Sequence, residues 1–522
     1  MSEINKRPLD DNLTYIISIL FEKCNFVKIS DAVNTILNID EISILNDNEI
    51  FIPYSNKIIR NIHTQILNDE VLHKYKIDNA DKVKSALRYN VLNILPDIYK
   101  LNFGKYYTPP HLVELVNQKI NPVVKETTIV ADIACGCGAF LERYDNTIGS
   151  DIDAEAINVT KMLGIKNTFL DNSLHNVSRS KYNIPEDTEL IIIGNPPYND
   201  RNSQNKRTSK GNNNGTAIEI DSDIYSSDLG HMFLKAYNKL KANYICVLHP
   251  LSYLIKESNF KKLKDFTDSY KLIDGTIFSS NEFQDLSKNT AFPVVVAFYK
   301  KCNEGMSFDY IKQFKFSILH SDKTFVLKNF QTIDDIYDNE KYIRKYPTKT
   351  DKNHIETSDI DLYHYNFRDS NSLFSSANLM HIDNNENLNY ITVKYSNLYK
   401  YAYINMYKYF FENDFLFGNL SPIINIQEYE FNDELQDLMI IGTILKNKHR
   451  IKCFDTQNKS SLLYSHKLLD YYKNKKACFF DIDFYYIFIT MVDSNNFDNS
   501  GIIYDLIKKY FIDLKKSFLT KE

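Results

Sequence analysis

Residues 129–144 have the sequence IVADIACGCGAFLERY. A β-branched apolar run leads to Asp132, Gly136 and Gly138 bracket a tight turn, and an apolar Phe–Leu pair then begins a predicted helix. Doubly wound sheets bind ligands outside the carboxyl ends of their strands, where glycines let a ligand approach the backbone closely. The stretch therefore predicts a strand, a turn and a helix, with a ligand site at the turn.

Similar apolar runs continue on both sides of this stretch between residues 99 and 303. They alternate with amphipathic segments, a pattern typical of a mostly parallel sheet covered by helices on both faces. The runs are NTIGSDID, LIIIGN, YICVLHP, YKLIDGTIF and AFPVVVAFYK. We predict an α/β, Rossmann-like, doubly wound domain over residues 99–303. The polar stretch 200–223 is predicted to be a loop at the end of its central strand.

The flanking regions have different patterns. Residues 1–98 carry apolar positions three and four apart in 13–27 and 80–95, which predicts a helical segment. Residues 304–522 are rich in Tyr and Phe and predict a separate domain of mixed structure. A chain of 522 residues is long enough for two to four domains.

Composition limits the classes of protein. The chain is 43% hydrophobic and 25% charged, without a long apolar run or signal peptide, so we expect a cytoplasmic protein with no membrane segment. Seven cysteines suggest reduced thiols, and no second cysteine pair accompanies Cys135 and Cys137, so no metal site is predicted. The net charge of −5 argues against nonspecific coating of nucleic acid but allows a locally basic groove.

Three acidic residues follow three successive predicted strands, at Asp132, Asp151 and Asp171. An acid about twenty positions after the first strand can accept hydrogen bonds from both hydroxyls of a ribose. The third glycine of a dinucleotide fingerprint is missing, because Leu141 stands in its place. The set favours a cofactor with ribose and adenine but no phosphates, which describes S-adenosylmethionine.

The run IIIGNPPYND, residues 191–200, ends another predicted strand in an amide, two prolines and an aromatic ring. The prolines fix φ and donate no hydrogen bond, so the Pro196 carbonyl and the Asn195 amide oxygen can both accept from one NH2 group. Tyr198 offers a flat face to the ring that bears this group. Two acceptors on an adenine N6 amine favour a more nucleophilic nitrogen, placed in line with the sulfonium methyl group.

At these residues the chain resembles the gamma-class adenine-N6 DNA methyltransferases of restriction-modification systems. The resemblance covers residues 103–300 and includes DIACGCG, GSDID, LDNSL, GNPPY and FGKYYTPPHLVELV. It departs from the usual D-P-A-C-G-S-G at Ile133 and Cys137. The resemblance implies a catalytic Asn195, Pro196 and Tyr198, and a methionine-binding surface at Tyr107, Thr108 and Pro109. It also implies cofactor contacts from Asp132, Ala134, Gly136, Gly138, Asp151, Asp171 and Asn195.

The family also stacks a flipped adenine between the motif tyrosine and a second ring from a later loop. Phe283 is the candidate for that ring in this chain, and Phe292 is the alternative. The resemblance further implies that residues 304–522 recognise the target sequence in double-stranded DNA. A cognate restriction endonuclease is a candidate partner.

Other functions remain open from the sequence alone. A fused nuclease is one, although the chain contains no Glu-x-Lys triplet. The others are an RNA adenine methyltransferase, because Asn-Pro-Pro-Tyr also occurs in RNA enzymes, and a binding module that has lost the chemistry.

Overall fold

A computed structural model describes most of the central region of the chain and several separate segments outside it. The described residues are 26, 28–38, 42–52, 57–60, 108–198, 219–283, 291–328, 330–332, 362–365, 380–381, 390–394, 396–411, 423–424, 428–429, 431–451, 453–454, 461–463 and 500–521. The predicted loop at 200–223 lies mostly outside them.

The N-terminal region contains one described helix and a small antiparallel sheet. These elements are α1 (Ile29–Leu37), β1 (Ser43–Asn46), β2 (Glu49–Ile52) and β3 (Lys57–Arg60). β2 pairs with β1 and with β3. Burial alternates along β2, which is the period-two pattern of a strand with one face covered.

The prediction of a helical segment over 1–98 is therefore wrong at Ser43–Asn46, Glu49–Ile52 and Lys57–Arg60, which are strands. A turn separates the first two strands, and the Asn46 side chain fixes it by accepting the backbone N–H of Asn48 at 2.9 Å. Asn favours such turns because its side chain bonds to the backbone two residues on. The helical stretches 13–27 and 80–95 lie outside the described residues, except for Phe26.

The central region alternates strands and helices. In chain order these elements are α2 (Pro110–Ile120), β4 (Ile129–Asp132), β5 (Thr147–Asp151), α3 (Ala154–Met162), β6 (Asn167–Leu170), β7 (Leu190–Gly194), α4 (Leu229–Lys239), β8 (Tyr244–Pro250), α5 (Ser252–Ile255), α6 (Glu257–Lys262), α7 (Lys264–Thr267), β9 (Tyr270–Ser279), β10 (Pro293–Lys301), α8 (Phe308–Gln313), β11 (Phe316–Ile318) and β12 (Lys323–Phe325).

The C-terminal region adds short strands and three long helices. In chain order these are β13 (Gln331–Thr332), β14 (Leu362–Tyr365), β15 (Met380–His381), β16 (Tyr390–Val393), α9 (Leu398–Phe410), β17 (Ile423–Ile424), α10 (Asp433–Ile451), β18 (Cys453–Phe454), β19 (Ser461–Leu463), α11 (Ser500–Phe518) and β20 (Leu519–Lys521). None of the described helices is both long enough and apolar enough to cross a membrane.

The main sheet has ten strands in the order β20-β12-β11-β9-β10-β8-β7-β4-β5-β6. The five strands from β8 to β6 pair in parallel. β10 is antiparallel to both of its neighbours, β8 and β9. This is the predicted doubly wound, mostly parallel arrangement over the central region, with two reversed strands beyond β8, namely β10 and β12.

Both faces of this sheet are covered. In β7, Ile192 belongs to the same buried cluster as Met232 of α4, whereas its neighbour Ile191 belongs to a second cluster with Val116 of α2. Successive side chains of a strand point to opposite faces, so a strand covered on both sides is apolar at every position. This explains why Leu190–Gly194 is buried throughout.

The sheet continues beyond the predicted boundary at 303/304. β11 pairs in parallel with β9, β12 pairs with β11, and β20 pairs with β12. The buried cluster on one face also continues into α9, α10 and α11, for example at Tyr403, Met439 and Phe511. The predicted boundary therefore falls inside one sheet and one core.

Candidate active site

The site lies at the carboxyl ends of β4 and β7, the two strands between which the strand order reverses. From β4 the chain proceeds to β5 and β6 on one side, and from β7 it proceeds to β8 on the other. Loops leave in opposite directions at such a point and open a crevice. Asp132 ends β4 and Gly194 ends β7.

Gly194 brings these two strand ends into contact. Its φ is +141°, and a Cβ at this position would lie 2.6 Å from Oδ1 of Asp132. Both features require glycine, because a side chain would be strained and would clash. The backbone that leads into Asn195 therefore lies directly against the Asp132 carboxyl group.

Asn195 has one end of its amide bonded and the other end unpaired. Its Nδ2 donates to Oγ1 of Thr108, at 3.2 Å. Its Oδ1 is buried and accepts no hydrogen bond from any described residue. Thr108 lies just before α2, whose N-terminus is formed by Pro109 and Pro110. A buried carbonyl oxygen without a donor is costly, so this atom is prepared for a donor from a ligand.

Tyr198 lies at the end of the same tip, half-buried against the core cluster that contains α4. Its ring meets the ring of Phe292 edge to face, with centroids 6.5 Å apart. Pro196 is buried and Pro197 is exposed. An amide acceptor and two aromatic rings therefore share the carboxyl end of β7.

Phe283, the first candidate for the second stacking ring, does not lie beside Tyr198. Its side chain is only 3% exposed and packs edge to face on Phe278, at 5.6 Å between centroids. Residues 284–290, between Phe283 and the strand β10, lie outside the described residues. The structure thus places Phe283 in the core and brings Phe292, the alternative, to the site.

The turn after β4 differs from its prediction. No helix follows it, because Gly138, Leu141 and Tyr144 each donate to the carbonyl three residues earlier, which gives successive tight turns. Gly136 and Gly138 both have positive φ, at 52° and 84°. A Cβ on Gly136 would meet no atom within 4 Å, so the turn is open on that side.

Asp132 is nearly inaccessible to solvent and accepts the backbone N–H of Ala134 at 3.0 Å. Burial raises the pKa of Asp132 to about 8, and the nearby charge of Asp151 adds to this rise. No ion pair involving Asp132 is found within the described residues. A buried carboxyl group of this kind is suited to a cationic ligand.

Two acids at the end of β5 have different partners. Asp151 Oδ2 accepts the N–H of Gly136 at 2.8 Å, so this carboxylate lies against the glycine turn. Asp153 caps α3 by accepting the N–H groups of Glu155 and Ala156. Asp151 Oδ1 also accepts the N–H of Asp153 at 2.9 Å, so the Asp151 carboxylate lies between the glycine turn and the start of α3, whereas Asp153 is a helix cap.

Asp171 is half-exposed and forms an ion pair with Lys181, at 3.0 Å. The same ammonium donates to the carbonyls of Asn172 and His175, at 2.7 and 2.6 Å. Lys181 thus anchors the loop after β6 and fixes the position of Asp171 at the edge of the sheet. Tyr107, predicted to contact the cofactor, lies outside the described residues.

Ile152 is a candidate site residue that the sequence did not single out. Although it is large and apolar, it is 60% exposed, immediately after Asp151. An exposed aliphatic side chain at the carboxyl edge can pack on the face of a planar ring. The sequence feature that could have indicated it is an isoleucine between two aspartates, because a helix cap alone does not require an apolar residue at that position.

Comparison with known families gives one match. The sequence model of the N-6 DNA methylase family matches residues 91–373. The chain belongs to this family. The match includes the glycine turn, all three acids and the Asn195–Tyr198 tip. No curated protein sequence matches the chain significantly.

Several solved structures are similar in fold to this chain. The modification subunit described for a type I restriction enzyme of Vibrio vulnificus YJ016 is 16% identical, with a TM-score of 0.34 over 54% of this chain and 63% of its own. A protein of Listeria monocytogenes described as a class I S-adenosylmethionine-dependent methyltransferase is 12% identical, with a TM-score of 0.38 over 60% and 91%.

A third similar structure is the ATP-dependent type ISP restriction-modification enzyme LlaBIII bound to DNA. It is 13% identical, with a TM-score of 0.30 over 61% of this chain and 24% of its own. At these identities and TM-scores the likenesses carry no conclusion about activity. The chain matches 63% of the length of the Vibrio protein, which is the first of these three structures.

Proposed function

We propose that this protein transfers a methyl group from S-adenosylmethionine to N6 of an adenine that is flipped out of double-stranded DNA. The unpaired Asn195 Oδ1, beside Tyr198 at the switch point of the sheet, is the observation that carries the proposal. Family membership supports the reaction class.

The residues at the ends of β4 and β5 fit the proposed cofactor. The buried Asp132 suits the ammonium group of its methionine part, and the open side of Gly136 leaves room against the backbone. Asp151 would accept from the ribose hydroxyls, with Ile152 against the adenine ring and Asp171 at its edge. When bound, S-adenosylmethionine supplies a methyl group activated by its sulfonium centre.

The tip of β7 would bind the target amine. Asn195 Oδ1 accepts one N–H, and the Pro196 carbonyl accepts the other. Both bonds draw the nitrogen lone pair out of conjugation with the ring, which raises its nucleophilicity. Thr108 keeps the Asn195 side chain in place by accepting from Nδ2. The proton on nitrogen leaves after attack, so no general base with a shifted pKa is needed at the start.

The aromatic pair would hold the flipped base. Stacking on a ring compensates for the lost stacking in the duplex, at about 1–3 kcal/mol per base. Tyr198 is the first ring and Phe292 the second, in place of Phe283. Residues 304–522 would supply the contacts that select the target sequence, and a cognate restriction endonuclease is a proposed partner.

Methylation of DNA in cells tests the proposal. The protein is expressed in a host without adenine methylation, with Asn195→Ala as the matched control, and the DNA is sequenced by a method that detects N6-methyladenine. We expect one modified sequence motif with the wild type and none with the variant, whose cofactor affinity stays within a few-fold.

A parallel assay offers labelled S-adenosylmethionine with duplex DNA or structured RNA. Label in RNA alone would assign the protein to RNA, and no transfer to either substrate would contradict the proposed reaction.

A further inference from the structure

The N-terminus of α4 lies directly behind Tyr198. Asp228 caps this helix, and its Oδ1 accepts the N–H of Gly230 at 2.8 Å and that of His231 at 3.4 Å. The Tyr253 hydroxyl donates to the same oxygen. These bonds fasten the short helix α5, which follows β8, to the first turn of α4.

Gly230 is packed against both tyrosines. A Cβ built on it would clash with the Tyr253 hydroxyl and would lie 2.9 Å from Cε2 of that ring. It would also lie 3.0 Å from Cβ of Tyr198. The backbone at Gly230 is helical, a conformation in which alanine is the better residue. Close approach of Tyr253 and Tyr198, and not the backbone conformation, therefore accounts for glycine at this position.

Tyr253 has no room to move away from such a side chain. It is 2% exposed, it stacks on His249 with centroids 5.3 Å apart, and the His231 ring meets it at 4.3 Å. Tyr198 is only half-buried. An atom added at residue 230 would therefore press on both side chains, on the tightly packed Tyr253 and on Tyr198 through its Cβ.

We infer that Gly230 is a positioning residue, which together with the Asp228–Tyr253 hydrogen bond sets where the Tyr198 ring stands relative to Asn195. The inference rests on the proposed function, because the ring must stack on a base for its position to matter. Gly230 itself contacts neither the base nor the cofactor in this role.

The variant Gly230→Ala tests the inference against a matched control, Gly501→Ala. Gly501 is the second residue of α11, as Gly230 is of α4, and a Cβ there would meet no atom within 4 Å. Two quantities are measured on DNA that carries the recognition sequence: the single-turnover methylation rate at saturating cofactor, and the fluorescence of 2-aminopurine at the target position.

We expect Gly230→Ala to lower the rate by about 10- to 100-fold, since small misplacements of reacting groups have effects of this size. The 2-aminopurine signal should fall with it, while cofactor affinity stays within a few-fold. Gly501→Ala should behave as the wild type. The double variant Gly230→Ala/Tyr253→Phe should recover part of the rate, because it removes the nearest atom to the new Cβ.

Wild-type rate and fluorescence in Gly230→Ala would overturn the inference, as would a loss of cofactor affinity that accounts for the whole effect. If Gly230→Ala does not fold, Tyr253→Phe tests the inference instead, because this substitution removes the hydroxyl that bonds to Asp228 and adds no atom. A reduced 2-aminopurine signal with unchanged cofactor affinity supports the inference, and a wild-type signal overturns it. A wild type that methylates no DNA would instead overturn the proposed function, and this inference with it.

Discussion

Asp132 and Asp151 end adjacent parallel strands, yet their surroundings give the two carboxyl groups different properties. Asp132 is buried, with a pKa raised to about 8, whereas Asp151 bonds to the N–H of Gly136 in the open turn. The positions of both aspartates at strand ends predicted that they lie at the cofactor site. The sequence could not predict their separate environments, because burial depends on how Gly194 closes over Asp132.

The raised pKa of Asp132 predicts a pH-dependent cost in stability without cofactor. Between its ordinary value of 3.8 and about 8, the unfolded chain gives up this proton while the folded chain keeps it. The free energy of unfolding therefore falls as pH rises through this window. Asp132→Asn has no charge to bury, so its melting temperature should rise relative to that of the wild type as pH increases from 5 to 8. The difference should grow by about 2–4 °C for each kcal/mol of unfolding free energy that the wild type loses.

Thermal unfolding at several pH values measures this difference. Asp309→Asn is the control, because that side chain is 88% exposed. A melting-temperature difference that does not vary with pH would contradict the assignment. Titration calorimetry should show weaker cofactor binding by Asp132→Asn.

The two aspartates around Ile152 allow a second test at single residues. Asp153→Ala removes a helix cap and should cost about 0.5–2 kcal/mol of stability, with little effect on cofactor affinity. Asp151→Ala should raise the cofactor dissociation constant. Denaturant unfolding and equilibrium binding distinguish the two, and equal loss of binding in both variants would argue against the assignment.

At the scale of elements, the strands were predicted well, but the connection after β4 was not. The six predicted apolar runs match β4, β5, β7, β8, β9 and β10, because an uninterrupted apolar run requires cover on both faces. The predicted helix after β4 is absent, since bonds to the third preceding residue replace helical ones. Local patterns do not distinguish these two kinds of turn.

The loop between β9 and β10 provides a matched pair of phenylalanines. Phe283→Ala should destabilise the fold by about 3–5 kcal/mol, as expected for a buried ring. Phe292→Ala should instead weaken stacking of the flipped base by about 1–3 kcal/mol with a smaller effect on stability. Chemical denaturation and 2-aminopurine fluorescence measure the two quantities, and the reverse pattern would return the stacking role to Phe283.

At the scale of the whole molecule, residues far apart in the chain share one sheet. β20, from residues 519–521, pairs with β12 on the edge opposite to β6. The partly buried Leu519 packs on the core cluster that also includes α4. Among the described residues, the sheet and its buried cluster therefore continue across the predicted boundary at 303/304.

Truncation after Phe518 tests whether β20 stabilises the sheet, with truncation after Lys521 as the control. Loss of β20 removes hydrogen bonds worth about 0.5–1.5 kcal/mol each, so the melting temperature should fall by several degrees. Cofactor affinity should be retained at temperatures where the variant is folded, because five strands separate β12 from β4. An unchanged melting temperature would mean that β20 does not stabilise the sheet.

The sequence by itself determined the doubly wound sheet and the placement of Asp132, Asp151 and Asn195 at its carboxyl edge. These follow from periodicity and turn residues, which are local properties of the chain. Only the tertiary structure decided that Phe292 and not Phe283 meets Tyr198, that Asn195 Oδ1 is unpaired, and that Gly230 supports the ring. Such features depend on which side chains, distant in sequence, contact each other in the fold. The packing of the whole sheet against its helices determines those contacts.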